Sequence, residues 1–418
     1  MMLNDNRPFH KKTPPGKPAG GAGTGVGSAV STRGRSDGLN PVPAAGPCKK
    51  KPNVLVIDDE AGPRDALRFI LSPFFSIQAV ENARMAMQVL HEQPVDLITL
   101  DQKLPDCHGI DLLREIMHDR PDIEVIIITG NGTLASAIEG ARHGAAGYLL
   151  KPFNTAELLT LMNQTWEKKQ RLDFLRKCLR NTQALWGTEQ ESTHAWRDMQ
   201  TRYFSIGESL PDAPTTSSDT IRLLPFLCDL LEATDRQLLA HCSRVNFYAM
   251  LLSTPLHLTQ AEQKSLTLGA FLHDIGKIRI GAEAFSRNQT ADSGESGSRK
   301  RHADIGARIV LRLGLPAEVA QIIACHHTWY DGSNSPHGMQ SNSVPLLGRI
   351  VCIAQAFDRL TAGDSCRVPM AVDVALRRIS GEAGTRFDPM LTKIFARAIT
   401  ERKETLPPLA LAPLPSDI

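Results

Sequence analysis

From Asn53 onward the chain alternates short apolar runs with segments of helical spacing. The runs are NVLVI, FSIQAV, DLITL, VIIIT and YLL. Between them, apolar positions recur every three or four residues around Ala66–Leu71, Ala83–Leu90, Leu112–Met117 and Leu134–Ala141. Strands that alternate with helices build a parallel sheet covered on both faces. Residues 53–165 are therefore predicted to form one doubly wound α/β domain with a five-stranded parallel sheet. Beyond it the period changes. Leu158, Met162, Leu172, Leu175 and Leu179 are spaced by threes, fours and their sums among many charges. This predicts a single long helix across about 156–205, suited to pairing with a second copy of the chain. The polar segment IGESLPDAPTTSSD then breaks the pattern, so 166–219 reads as a helical linker. From Ile221 to about Arg402, Leu and Ala recur at helical spacing, interrupted by SRNQTADSGESGSRK and DGSNSPHGMQSNS. An all-α domain is predicted over 220–405.

Charge and composition narrow the classes. A net charge of +2 excludes a strongly basic nucleic-acid binder, and no helix-turn-helix candidate follows the linker, so no DNA-binding domain is expected. Residues 1–52 hold nine Lys/Arg against two Asp/Glu, with eight Pro, nine Gly and one aromatic, Phe9. So little apolar surface cannot offset chain entropy, and this basic leader is expected to be disordered. The Pro-rich tail, 406–418, is expected to fray. The eight Cys are scattered without a CxxC, as in reduced thiols. No apolar run approaches the ~18 residues of a membrane span, and the start lacks the apolar region of a signal peptide. A soluble cytoplasmic protein is expected.

The first domain carries chemistry at its strand ends. Asp58 and Asp59 follow the first strand, Asp101 the third, Thr129 ends the fourth, and Lys151 ends the fifth before Pro152. In open parallel sheets, ligands bind beyond the carboxyl ends of the strands at the topological switch point. If strands one and three are neighbours, the carboxylates meet there, and they repel unless a hard cation such as Mg²⁺ joins them. A hydroxyl and an ammonium on the same edge suit a phosphoryl group. A single Asp after a strand is an ordinary loop residue or helix cap; this series is not. The strings VLVIDDE, LDQKLPDCHGIDLL, IIITGNG and YLLKPF resemble the receiver domain of two-component response regulators. The resemblance implies that Asp101 accepts a phosphoryl group from a sensor histidine kinase, and that Asp58, Asp59 and Asp101 hold Mg²⁺. It also implies that Thr129 and Lys151 contact the phosphoryl oxygens, with Tyr148 at the aromatic switch position.

The second domain carries a histidine series: His241, His273 followed by Asp274, His302, and adjacent His326 and His327. Lys277 lies one helical turn after His273. A lone buried His is ordinarily a packing residue. Imidazole with carboxylate favours a divalent transition metal, and five imidazoles with one carboxylate exceed what a single open ion needs. They suit a two-metal centre of the kind that cleaves phosphate esters. AHCSRV, FLHDIGKI, RHADIGARIV, CHHTWYDGSNSP and RIVCIAQAFDRLTA resemble the HD superfamily of metal-dependent phosphohydrolases, and more closely its HD-GYP branch, whose members hydrolyse cyclic di-GMP. The resemblance implies that His241, His273, Asp274, His302, His326 and His327 hold two divalent transition metals, Fe or Mn, with Gln355 at the place of a further carboxylate ligand. It implies catalytic or substrate contacts for Asp274, Lys277, Asp331 and Arg367.

The chain departs from that pattern at several positions. HHExxDGxGYP appears as HHTWYDGSNSP, with Thr328 for Glu and Asn334-Ser335 for Gly-Tyr; ADxFDALT appears as AQAFDRLT, with Gln355 for Asp and Arg359 for Ala. Of the substrate-contacting segment only Arg367 is kept, and Gln237 stands where an acidic residue accompanies a third metal. Two readings follow. The retained ligands favour a phosphorylation-controlled cyclic di-GMP phosphodiesterase. The departures favour an HD-GYP-like domain without turnover that signals by protein contact or by binding the nucleotide.

Overall fold

A computed structural model describes residues 51–130, 132–180, 184–207, 220–280, 295–335, 338–362 and 368–402. The chain divides into Met1–Lys50 and Lys51–Ile418. The leader up to Lys50, the polar segment 208–219, the Pro-rich tail and Arg367 lie outside the described residues.

The sheet is five-stranded and parallel, as the alternation predicts. Its strands are β1 (Asn53–Ile57), β2 (Ser76–Val80), β3 (Leu97–Leu100), β4 (Glu124–Thr129) and β5 (Gly147–Leu150), in the order β2-β1-β3-β4-β5. The intervening helices are α1 (Ala61–Leu71), α2 (Ala83–Glu92), α3 (Gly109–Asp119) and α4 (Leu134–Arg142), and α5 (Thr155–Arg180) follows β5. Val54, Val56, Ile126 and Ile128 pack with Leu67 and Leu71 of α1 and Leu158 and Met162 of α5. The alternate residues Leu55, Ile57, Ile98, Leu100, Val125 and Ile127 pack with α2 and α3. A sheet buried on both faces explains why its strands read as continuous apolar runs. Register aligns Ile57 with Leu100 and Leu100 with Ile127, so the residues just beyond β1 and β3 stand level at one edge.

The helix expected across 156–205 is interrupted. α5 ends at Arg180, and α6 (Glu189–Phe204) starts afresh behind Thr188, whose hydroxyl accepts from the Glu191 N–H while the Glu191 carboxylate accepts from the Thr188 N–H. Such a capping box defines a helix start. The apolar stripe of α5 is divided between two cores of the same chain. Leu158 and Met162 belong to the sheet, whereas Leu172 and Leu175 pack with Trp196 and Tyr203 of α6 and with Phe226 and Leu230 of α7 (Thr220–Thr234). The spacing that suggested self-pairing is thus accounted for within one chain.

The remaining elements are helical: α8 (Arg236–Met250), α9 (Gln260–Leu272), the single turn α10 (Lys277–Ile280), α11 (Glu295–Arg312), α12 (Ala317–Cys325), α13 (Leu346–Thr361), α14 (Val372–Gly381) and α15 (Pro389–Glu401). α13 is buried around most of its circumference, as a central helix must be. No described helix is long and apolar enough to cross a membrane.

Charges hold the sheet and the helical region together. Glu124, buried at the start of β4, pairs with Arg236 at the start of α8, and Arg236 Nη1 donates to the Gly144 carbonyl at 2.9 Å. Lys168 of α5 pairs with Glu232 at 2.9 Å. Asp229 accepts from Arg171 Nε at 2.9 Å and from the Tyr203 hydroxyl at 2.7 Å. Burial pushes the Glu124 carboxyl up, and Arg236 and Lys168 oppose that push. Buried charges are tolerated only when paired in this way. Arg236→Ala, which strands Glu124 in the interior, is expected to cost about 3 kcal/mol or more, read as a lowered thermal midpoint. Adding Glu124→Gln in that background should recover part of the loss.

Candidate functional site

Two sites assemble at different places. At the carboxyl edge of the sheet, Lys151 Nζ donates to Asp58 Oδ2 at 2.7 Å and stands 3.1 Å from Asp101 Oδ1. Backbone N–H groups complete both carboxylates: Glu60 donates to Asp58 Oδ1 at 3.1 Å and Lys103 to Asp101 Oδ2 at 2.9 Å. Asp58 and Asp101 are buried, and Asp59 is exposed beside them. Burial raises the Asp58 pKa against the pull of Lys151. Lys151 is itself held up: burial would lower it, but the bond to Asp58 and the charge of Asp101 prevail. Two buried carboxylates against one ammonium leave an excess of negative oxygen, the donor type that hard cations take. Thr129, buried, ends the neighbouring β4. The Tyr148 hydroxyl shares a hydrogen bond with Ser136 Oγ of α4 at 2.9 Å, which ties this ring to the helix.

The second site lies among α8, α9, α11 and α12. His241 comes from α8, His273 and Asp274 from the end of α9, His302 from α11, and His326 and His327 from just past α12. Their ligand-type atoms form two groups that share Asp274. One is His241, His273 and Asp274; the other is Asp274, His302, His326 and His327; within each, the atoms lie within 4.8 Å of one another. Asp274 Oδ2 is 3.4 Å from His241 Nε2 and 3.3 Å from His273 Nε2, while Oδ1 is 3.1 Å from His302 Nε2. One carboxylate oxygen therefore serves each group.

The outward hydrogen bonds fix which way the imidazole lone pairs point. Nδ1 of His273 faces the Ala270 carbonyl at 2.8 Å, Nδ1 of His326 the Ile323 carbonyl at 2.5 Å, and Nδ1 of His241 the Asp358 carboxylate at 2.7 Å. With Nδ1 donating, the neutral form of each ring presents its Nε2 lone pair inward. There His273 and His241 approach at 3.2 Å, His302 and His326 at 3.3 Å, and His327 and His302 at 3.1 Å, Nε2 to Nε2. Between His241 and His273 the neutral rings bring two lone pairs face to face, and a cation between them turns that repulsion into ligation. Burial pushes the His326 and His273 pKa values down and favours the neutral form that ligates. Burial would raise the Asp274 carboxyl, but Lys277 and His273 hold it well below the usual range; Lys277 Nζ is 2.5 Å from Asp274 Oδ2. The donor set thus fits two divalent transition metals.

Close backbone approach makes this possible at Gly276. A Cβ there would fall 1.9 Å from the His302 carbonyl oxygen and 2.7 Å from the Gly306 nitrogen. Only hydrogen fits, and α11 thereby comes near enough to bring His302 to Asp274.

Other expected site residues stand apart from the donors. Gln355 of α13 is buried, but its amide nitrogen donates to the His326 carbonyl at 2.7 Å and lies 3.1 Å from His327 Nδ1. It thus meets His327 on the side away from Nε2. Asp331 is exposed and accepts from the Ser333 N–H in a local turn. Arg367 lies outside the described residues.

One buried pair went unassigned in the sequence. Asp358 accepts from Arg244 Nε at 2.6 Å and Nη2 at 3.0 Å while anchoring His241. Burial would raise this carboxyl, but His241 and Arg244 hold it down. AQAFDRLT contains the residue, but its partner on α8 is 114 positions away. Asp358→Asn is expected to weaken metal binding about 10–100-fold, the usual effect of an outer-shell change, with helical content retained. Chelator competition on the purified protein checks this.

Comparisons with known proteins agree with this architecture. The family profile described as response regulator receiver domain matches residues 54–163, and that described as HD domain matches residues 225–391. The chain is 24% identical over 353 residues to the cyclic di-GMP phosphodiesterase of Thermotoga maritima, covering 82% of this chain and 89% of that protein. It is 25% identical over 345 residues to the cyclic di-GMP phosphodiesterase response regulator RpfG of Xanthomonas campestris pv. campestris, covering 81% and 85%. It is 29% identical over 217 residues to the 3'3'-cGAMP-specific phosphodiesterase 2 of Vibrio cholerae, covering 50% and 41%. With the acidic pocket at its sheet edge and the histidines gathered among its helices, the chain joins a response regulator receiver domain to an HD domain.

Proposed function

We propose that the protein is a response regulator in which phosphorylation of Asp101 by a sensor histidine kinase controls a metal-dependent phosphodiesterase acting on cyclic di-GMP in the cytoplasm. The observation that carries this reading is the sharing of Asp274 between two histidine groups. His241, His273 and Asp274 would hold one divalent ion and Asp274, His302, His326 and His327 the other, transition metals by the donor types and Fe or Mn by the resemblance to the HD-GYP branch. When bound, such a pair supplies an activated water and compensates charge on a phosphodiester. Lys277 keeps Asp274 ionised and sets a positive charge at the rim of the centre, where it bears on a developing phosphate charge. Asp331 and Arg367 are the substrate-side candidates.

In the receiver, Asp58, Asp59 and Asp101 would bind Mg²⁺, which compensates the charge that a carboxylate nucleophile meets at phosphorus. Lys151, already paired with Asp101, and Thr129 on the same edge would receive the phosphoryl oxygens. A second reading keeps the metal but not the turnover. Gln355 brings no charge, and a centre with Asp274 as its one carboxylate has little to balance two dications. The HD domain would then signal by protein contact or nucleotide binding.

Incubation with acetyl phosphate and Mg²⁺ is expected to label the wild-type chain and to leave Asp101→Asn unlabelled; equal labelling of the variant sinks the assignment. The purified protein is expected to carry close to two transition-metal ions per chain, most of them lost in His273→Ala with Asp274→Ala. Cyclic di-GMP hydrolysis measured on the same samples separates the two readings, because full metal content without turnover selects the second.

A further inference from the structure

The two departures that read as losses in the sequence meet on the same residues. His326 and His327 lie just past the end of α12, where carbonyl groups have no partner within the helix. Asn334 and Gln355 supply those partners. Asn334 Nδ2 donates to the His327 carbonyl at 2.7 Å, and its Oδ1 accepts from the Trp329 N–H at 2.7 Å, closing the loop that follows the pair. From α13, Gln355 Nε2 donates to the His326 carbonyl at 2.7 Å and lies 3.1 Å from His327 Nδ1. Both carbonyls of the pair are held by two amide side chains from separate elements.

We propose that Asn334 and Gln355 are positioning residues: an amide clamp that sets the His326–His327 pair for metal binding, in place of the glycine and carboxylate of the HD-GYP pattern. The chemistry accounts for the residue types. A carbonyl can be held only by a donor, and an ionised Asp at 355 donates nothing; glycine at 334 has no side chain. An amide both donates and accepts. The two substitutions therefore act together, and the centre exchanges one negative charge for a rigid mount under two of its ligands. This assignment rests on the metal-site reading above.

The test is chelator competition for Mn²⁺ and Co²⁺ on the full chain, with the Co²⁺ d–d spectrum as a report on ligand geometry and far-UV circular dichroism as the folding control. Asn334→Ala and Gln355→Ala should each weaken one of the two ions about 10–100-fold and change the Co²⁺ band, while the other ion binds as in wild type. The double variant should lose less than the product of the single effects, because both side chains hold the same pair. Gln355→Glu keeps the length but loses the donor, so it should weaken the same ion; tighter binding there would mean that position 355 is a ligand and would overturn the clamp. Unchanged affinities and spectra in both Ala variants would also overturn it. A wild-type chain that binds neither ion would overturn both this assignment and the reading of the centre, whereas intact wild-type binding with unaffected variants overturns the clamp alone.

Discussion

The helical domain is organised around the carboxylate of Asp274. Five imidazoles converge on it from α8, α9, α11 and the end of α12, one oxygen facing each group. Burying so many nitrogen lone pairs together is unfavourable unless negative charge and cations are there to meet them. Lys277 keeps the carboxylate ionised, and Gly276 removes the side chain that would otherwise hold α11 away. The approach of the turn between α9 and α10 to α11 is in this sense dictated by the site: the backbones come to within a hydrogen atom's allowance so that His302 can reach Asp274.

Around the donors runs a layer of hydrogen bonds that decides how they face. Three imidazoles donate outward, to the Ala270 and Ile323 carbonyls and to Asp358, and Asp358 is locked in turn by Arg244. Asn334 and Gln355 hold the main chain of the His326–His327 pair. Ligand orientation thus depends on helix ends and on α13, a helix that contributes no histidine to either group.

The same logic of paired buried charge joins the two domains. α5 enters the sheet core with Leu158 and Met162 and the helical core with Leu172 and Leu175. Around it, Glu124, Arg236, Glu232 and Lys168 neutralise one another. Arg236 stands five residues before His241 on α8, about 7.5 Å along the axis. Glu124 stands at the opposite end of β4 from Thr129. The acidic pocket and the histidine centre are therefore connected by one strand, one ion pair and about one and a half turns of helix.

The sequence by itself determined the secondary structure and the chemistry-bearing strings. Short continuous apolar runs specify the strands of a two-sided parallel sheet, and period 3.6 between them specifies helices, because both patterns are properties of the local backbone. The acidic, HD and double-histidine strings were legible for the same reason: their residue types and spacings are local. The start of α6 went unread, although Thr188 and Glu191 form a capping box there, because the apolar spacing ran through it. What period cannot state is which element covers a buried face. The stripe of α5 looked like a surface for a second copy and is covered by two cores of its own chain. Asp358 looked like one more polar residue in an apolar helix until α8 lay opposite with Arg244 and His241. Asn334 and Gln355 looked like missing groups, since a pattern is read one position at a time. Only the closing of the loop after α12 against α13 shows their amides reaching the same pair of histidines, because a hydrogen bond is decided by distance in space and not along the chain.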